Sequence, residues 1–351
     1  MMWPFATRPA APGSFRGKVV AVTGASAGVG RAVALAAAAA GADVALLARS
    51  ERALSAVARE VERSGGRAAI ASVDVADADA VARAATSMEG ELGPIDIWVN
   101  AAMATVFSPV SRLPPDEVRR VTEVTYRGSV NCMLAVLPSM RRRGSGLIVQ
   151  VGSALAFRGI PLQAPYCGAK HALRGFIGSL RTELIHEGSP VRVIQVHLPA
   201  INTPQFAWSR THVARRPRPL GGIFTPETAA QAILAAARRP SQDYWLGAPT
   251  LQAILGQAVA PRLLDHLMAR RAWEGQFTGE PAEPRAGNLY ASVEGLHAVH
   301  GPFSDQARPR ATLMPAQPAR LAAIALGLLA AGSLGYLASR RSNRTSVGTR
   351  G

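Results

Sequence analysis

Short apolar runs alternate with amphipathic stretches from residue 18 to residue 246. Residues 18–22 form a β-branched run that ends at Thr23-Gly24, and residues 30–40 form an alanine-rich stretch closed by Gly41, so strand, glycine turn and helix follow in order. The pattern repeats with strands expected over 43–47, 68–73 and 95–99 and helices over 51–63 and 78–89. It continues with a helix around 116–140, a strand over 147–151, a helix over 166–187, a strand over 191–197, a helix near 226–238 and a strand at 244–246. Strands and helices in strict alternation predict an α/β fold, a doubly wound parallel sheet in one domain.

The rhythm weakens towards the C-terminus. Residues 250–271 read as another helical segment, and from there to about residue 320 Gly, Pro, Glu and Asn dominate without a sustained period. The expected layout is a lead over 1–15, a folded domain over 16–272, a partly disordered linker over 273–319, a membrane-anchoring helix over 320–340 and a basic tail over 341–351. Residues 321–339 are uncharged and bounded by Arg320 and Arg340-Arg341. As a helix that run would span about 28 Å against a hydrocarbon core of about 30 Å. It is rich in Ala and Gly, so a packed amphipathic or buried helix is the other reading of the same residues.

Composition supports a folded chain: 48% of the residues are hydrophobic and 18% charged. The net charge of +16 raises the question of nucleic acid. Its distribution answers against that partner: the excess is scattered, no nucleic-acid motif accompanies it, and arginines without any acid follow Asp305. Cys132 and Cys167 both lie in expected helices and do not make a disulfide framework. No secretory or transit signal precedes residue 17, and no metal-ligating set stands out, so a domain facing the cytoplasm is expected.

Candidate chemistry begins at Thr23-Gly24-Ala25-Ser26-Ala27-Gly28-Val29-Gly30. Glycines at 24, 28 and 30 let backbone approach a pyrophosphate, and the amides at the helix start favour the anion. This TGxxxGxG spacing resembles that of the short-chain dehydrogenase/reductase family, over roughly residues 15–270. The resemblance implies a Rossmann-type fold and a nicotinamide cofactor in contact with Thr23, Gly24, Ser26, Gly28, Val29 and Gly30. The second strand ends Leu47-Ala48-Arg49, with no acid to bond an adenosine ribose and a guanidinium able to pair with a 2′-phosphate. NADP(H) is therefore the expected cofactor, ahead of NAD(H).

The resemblance also implies that Asp74 bonds the adenine, that Val75 lines its pocket and that Asn100 stands beside the adenosine ribose. It implies that Pro199, Ile201 and Thr203 face the nicotinamide. Three segments depart from the family pattern. Val99-Asn100-Ala101-Ala102 replaces Asn-Asn-Ala-Gly, Val124-Thr125-Tyr126-Arg127-Gly128 carries Thr125 where an asparagine is usual, and Pro199-Ala200 replaces Pro-Gly.

Tyr166-Cys167-Gly168-Ala169-Lys170 sets a phenol and an ammonium one helical turn apart. A phenol with a pKa of ~10 is a poor base at neutral pH, and lowering it by about 3 units takes roughly 4 kcal/mol of preferential phenolate stabilisation. Lys170 can supply part of that. Only Lys18 and Lys170 are lysines in this arginine-rich chain. The resemblance makes Tyr166 the general acid/base, Lys170 its partner at the cofactor ribose, Ser153 the group that polarises the substrate carbonyl, and Thr125 the holder of a relay water. Phe157, Phe206 and Trp208 are expected near the substrate mouth.

The expected function is NADP(H)-dependent hydride transfer between the nicotinamide and a carbonyl or secondary alcohol of an apolar small-molecule substrate. Homo-oligomers and association with a membrane through 321–339 are expected as well. The alternative is a nucleotide-binding sensor or scaffold on the same fold without turnover, motivated by Thr125, Ala102 and Ala200.

Overall fold

A computed structural model describes residues 5–239, 241–282, 285–317 and 319. Seven parallel strands form the centre of the sheet, in the spatial order Ala68–Ser72, Asp43–Ala48, Val19–Thr23, Ile97–Asn100, Leu147–Ser153, Arg192–Leu198 and Asp243–Leu246. Each corresponds to a strand expected from the pattern of apolar runs. The order reverses beside Val19–Thr23, which opens a crevice at the carboxyl ends of the strands, where ligands of such sheets bind.

The central strands are buried on both faces, which is why Val19–Thr23 and Leu147–Ser153 read as unbroken runs of non-charged residues and not as alternating ones. One face packs on the helices Gly28–Ala39, Glu51–Arg63 and Pro226–Ala237 through Val33, Leu54, Val57 and Ile233. The other packs on Ala78–Leu92, Gly128–Arg142 and Ala164–His186 through Met88, Met133, Leu173 and Ile177. Both cysteines are free and buried in this layer.

The helix expected around 116–140 is two helices, Pro115–Thr122 and Gly128–Arg142, joined by a π turn over Glu123–Arg127. The helical segment expected at 250–271 breaks at Ala260 into Gly247–Val259 and Pro261–Leu267, as proline at a first helical position requires.

Two parts of the expected layout are corrected. Residues 273–319 are not a linker: Thr312–Pro315 pairs antiparallel with Asp243–Leu246, and Phe277–Pro281 pairs with Arg215–Pro217. Nor are residues 1–15 a separate lead, since Phe5–Ala6 pairs with Thr312–Pro315 and Phe15 is buried. Between Phe277–Pro281 and Thr312–Pro315 the region holds its place through single buried side chains, Leu289 and Phe303, and such isolated anchors leave no periodic signal. Among the described residues no helix is long and apolar enough to cross a membrane, and the run 321–339 lies outside them.

Candidate active site

The glycine turn is dictated by close approach. Gly28 has φ +56°, and a Cβ there would lie 3.0 Å from the Thr203 side chain. A Cβ on Gly30 would lie 2.3 Å from the Gly24 carbonyl, so the helix Gly28–Ala39 could not seat on its turn with any other residue. That helix has no side-chain cap at Ala27, which leaves its first amides for other partners. Thr23 stands behind the turn, its Oγ1 accepting from the amides of Ala101 and Ala102 at 3.0 Å each. Its role is to hold the neighbouring strand end, and it does not line the cavity.

A cavity of about 550 Å³ follows the carboxyl ends of the strands. One end is bounded by Arg49, Asp74 and Val75, and its middle by Ser26, Gly28, Val29 and Gly30. Pro199, Ile201 and Thr203 line the same cavity as Ser153, Tyr166 and Lys170. Asn288 Oδ1, Trp208 Nε1 and both ring nitrogens of His297 are buried along this cavity without a well-formed hydrogen bond. Uncapped amides, buried guanidinium groups and orphaned polar atoms around an elongated space fit a dinucleotide.

Arg49 is not a loose surface arginine. It donates to the carbonyls of Asn288 at 2.5 Å and Leu289 at 3.4 Å, and burial lowers its pKa, opposed by Asp74 and reinforced by Arg120. Arg120 was not expected here. It forms an ion pair with Asp74 and donates through Nε to the Leu289 carbonyl at 3.1 Å, placing a second guanidinium near the Arg49 end of the cavity. In a chain with so many arginines nothing in the sequence distinguishes it. Asn100 is corrected: its side chain accepts from Trp98 Nε1 at 2.8 Å and donates to the Ser129 carbonyl at 3.1 Å, inside the layer below the cavity and away from a ribose.

Ser153 closes the strand Leu147–Ser153, and Tyr166 and Lys170 lie on one face of Ala164–His186. The Ser153 side chain lies beside the Tyr166 hydroxyl, close enough to act on its protonation. Burial pushes the phenol well above its ordinary pKa, and Ser153 pulls weakly the other way. Lys170 donates to the Val151 carbonyl at 2.8 Å, and burial draws its pKa down to about 8. The backbone just before this helix is strained, with the non-glycine residue Leu162 at φ +69° and its carbonyl held by the Ser108 amide at 2.9 Å.

Thr125 does not hold a relay water. Its hydroxyl donates to the Ala104 carbonyl and accepts from the Ala104 amide, both at 3.0 Å, so its single proton is committed behind the wall. Phe157 is also displaced from the expected mouth. It packs edge-on against His197 at 4.7 Å beneath the Arg174 guanidinium. Phe206 and Trp208 do line the cavity, but Trp208 stands on the Arg49 side, its carbonyl accepting from the Asn288 amide at 3.0 Å and its ring against His297, while Leu155, Leu264 and Met268 supply the apolar lining of the other end. Two polar groups that the sequence did not single out lie there: Arg158, paired with Asp265, and Gln163, bonded to Gln276.

A sequence profile of the short chain dehydrogenase family matches residues 18–213. An uncharacterized oxidoreductase, YxnA, of Bacillus subtilis is 32% identical over 283 residues, 80% of each chain. Dehydrogenase/reductase SDR family member 7B of Bos taurus is 31% identical over 268 residues, 73% of this chain and 82% of its own. Among solved structures, an alcohol dehydrogenase of the archaeon Thermococcus sibiricus complexed with 5-hydroxy-NADP is 30% identical with a TM-score of 0.55, and covers 64% of this chain and 91% of its own. A metagenomic short-chain oxidoreductase in complex with NADP is 27% identical with a TM-score of 0.56, and covers 66% of this chain and 96% of its own.

Proposed function

Because the chain belongs to the short-chain dehydrogenase/reductase family, and is thereby an NAD(P)-dependent oxidoreductase, we propose that it uses NADP(H) to interconvert a ketone and a secondary alcohol on an apolar substrate. The observation that carries this reading is one cavity with guanidinium groups at one end and the Ser153–Tyr166–Lys170 set before an apolar end. When bound, the cofactor supplies or accepts the hydride. Arg49 pairs with the 2′-phosphate, the amides of the glycine turn hold the diphosphate, and Pro199, Ile201 and Thr203 orient the nicotinamide.

At the reacting end Ser153 Oγ donates to the substrate oxygen and Tyr166 Oη delivers the proton that turns the developing alkoxide into an alcohol. A buried phenol kept neutral is a proton donor, which favours ketone reduction as the working direction. The NADP-bearing solved relatives support the cofactor choice. Homo-oligomers belong to the same reading, supported by Val118, Leu134 and Ile185, which stand exposed on the helices Pro115–Thr122, Gly128–Arg142 and Ala164–His186.

The test is to titrate the full chain with NADPH and NADH by nicotinamide fluorescence, then to follow NADPH oxidation across a panel of apolar ketones. Tighter NADPH binding and turnover of a panel member are expected. Binding of neither cofactor would sink the proposal.

A further inference from the structure

Residues 285–303 lie beyond the stretch that matches the family profile, yet Asn288, Ser292, Val293 and His297 among them line the cavity. At the Arg49 end the segment is pinned by Leu289, which is fully buried among the helices on that side. Its carbonyls at 288 and 289 receive Arg49 and Arg120. At the glycine turn the Ala298 carbonyl accepts the Gly28 amide at 2.9 Å, and the His297 carbonyl accepts Arg31 Nη1 at 2.9 Å. Beyond the turn the amides of Gly301 and Phe303 are held by Asn202 at 3.1 and 3.0 Å. A Cβ on Gly301 would lie 2.3 Å from the Thr203 carbonyl, so the segment presses directly on the nicotinamide wall.

Two features mark this strap as more than packing. An anion at a helix N-terminus lies within reach of the first amides, and one of those amides already touches the strap, so the strap must border the anion as well. The strap also brings to the cavity polar atoms that make no well-formed bond among the described residues. The His297 ring rests on Trp208, centroids 5.5 Å apart, with both nitrogens buried and the Val293 backbone as their nearest polar neighbour, too poorly aligned to satisfy them fully. Asn288 Oδ1 also lacks a well-formed bond among the described residues and, as an acceptor, suits a hydroxyl or amino group of a ligand and not its phosphates. A poorly satisfied buried donor is costly, and the place of the His297 N–H beside an anion-binding turn points to a phosphate-bearing ligand.

We propose that residues 288–298 are a further wall of the cofactor site, which closes over the diphosphate-bearing part of the dinucleotide, presents the His297 imidazole to it as a hydrogen-bond donor, and must lift for the dinucleotide to exchange. This rests on the dinucleotide occupying the cavity as proposed above. The strap carbonyls that hold Arg49, Arg120 and Gly28 keep it seated, and the bound phosphates complete the donors it leaves open. Closure and cofactor binding then reinforce each other, and release is slow.

The experiment is hydrogen–deuterium exchange on the full chain with and without NADPH, paired with stopped-flow measurement of NADPH release from native, His297→Ala and His297→Gln proteins. Exchange of the 288–298 amides should slow at least tenfold with NADPH while that of Phe277–Pro281 stays unchanged. Release from His297→Ala should be at least tenfold faster, with Gln, which keeps an N–H donor, restoring most of the difference. Strap amides that exchange at the same rate, or faster, with NADPH bound would overturn the proposal and identify the strap as a bystander or a competitor. If His297→Ala fails to fold, exchange in the native chain still decides. A native chain that binds neither NADPH nor NADH overturns the functional reading together with this one, whereas tight binding with an unprotected strap overturns this one alone.

Discussion

The Lys170 ammonium sits 5.5 Å from the centre of the Tyr166 ring and donates to the Val151 carbonyl, while the Tyr166 hydroxyl has the neutral Ser153 side chain beside it. The phenol is thus held by a neutral partner in a buried place, and its proton stays on. We predict that Tyr166→Phe lowers the turnover rate by about three orders of magnitude, the middle of the range for positioned proton transfer. NADPH affinity should change by no more than about fivefold, since the hydroxyl serves the substrate and a lost neutral hydrogen bond is worth only about 1 kcal/mol. Rapid-quench rates and fluorescence titration on the same preparation check this. Equal loss in both would show that Tyr166 supports the cofactor and not the proton.

Burial of Lys170 makes a claim about stability as a function of pH. Its folded pKa, about 8, lies below its ordinary value, so the fold disfavours the ammonium. The resulting destabilisation is fully present below the folded pKa, shrinks as pH rises through it, and vanishes above the unfolded value. Lys170→Met should therefore raise the cofactor-free unfolding free energy at pH 7 by about 1–3 kcal/mol, after allowance for the lost bond to Val151. The gain should disappear towards pH 10.5. Urea unfolding across that pH range is the measurement. The same variant should have almost no turnover, and a stability gain that ignores pH would mean that packing and not charge is responsible.

Arg49 and Arg120 divide the work at the adenosine end. Arg49 bears only on backbone carbonyls in the described structure, whereas Arg120 is paired with Asp74. Arg49→Ala should weaken NADPH binding about 10- to 100-fold and NADH binding less than about threefold, as loss of a charge-assisted phosphate contact requires. Arg120→Ala should weaken NADPH by a smaller factor while leaving Asp74 uncompensated. Competition titrations with both cofactors decide it. Parallel losses for NADPH and NADH would remove Arg49 from the 2′-phosphate and make it a strap anchor only.

Much of this was legible in the residues themselves. Seven parallel strands were visible because buried strands are written as apolar runs, and the glycine turn and the Tyr166–Lys170 spacing carry their geometry locally. What escaped is of another kind. Thr125, Asn100 and Phe157 were placed in the site by position within a motif, but a side chain one layer back can occupy the same register while its polar atoms or ring turn to the core. The strap escaped because Leu289 and Phe303 are lone anchors in a Gly- and Pro-rich stretch. Arg120 and Arg158 escaped because a single arginine among so many carries no local signal of where its guanidinium will go.

Gly152 shows how a core contact can set the catalytic serine. A Cβ at this position would fall 2.5 Å from Nδ1 of His197, directly across the strand pair, and backbone is the only thing the ring leaves room for. His197 is buried, and burial drives its pKa down to about 3, so it is neutral at any working pH and cannot be coaxed aside by charge. Gly152→Ala must push the ring or the end of the strand, and overpacking of this kind costs about 1–3 kcal/mol. Because Ser153 is the next residue, the displacement reaches its hydroxyl, so turnover should fall more than stability alone predicts. His197→Ala by itself opens a cavity and should cost about 2–4 kcal/mol. The double variant places the new methyl in the space the ring vacated, so it should be more stable than the sum of the two losses by at least 1 kcal/mol, the size of coupling expected for residues in contact. It should also recover part of the turnover lost in Gly152→Ala. Urea unfolding and steady-state rates on the four proteins test this, and strictly additive losses would show that the strand end, and with it Ser153, is positioned by something other than the His197 ring.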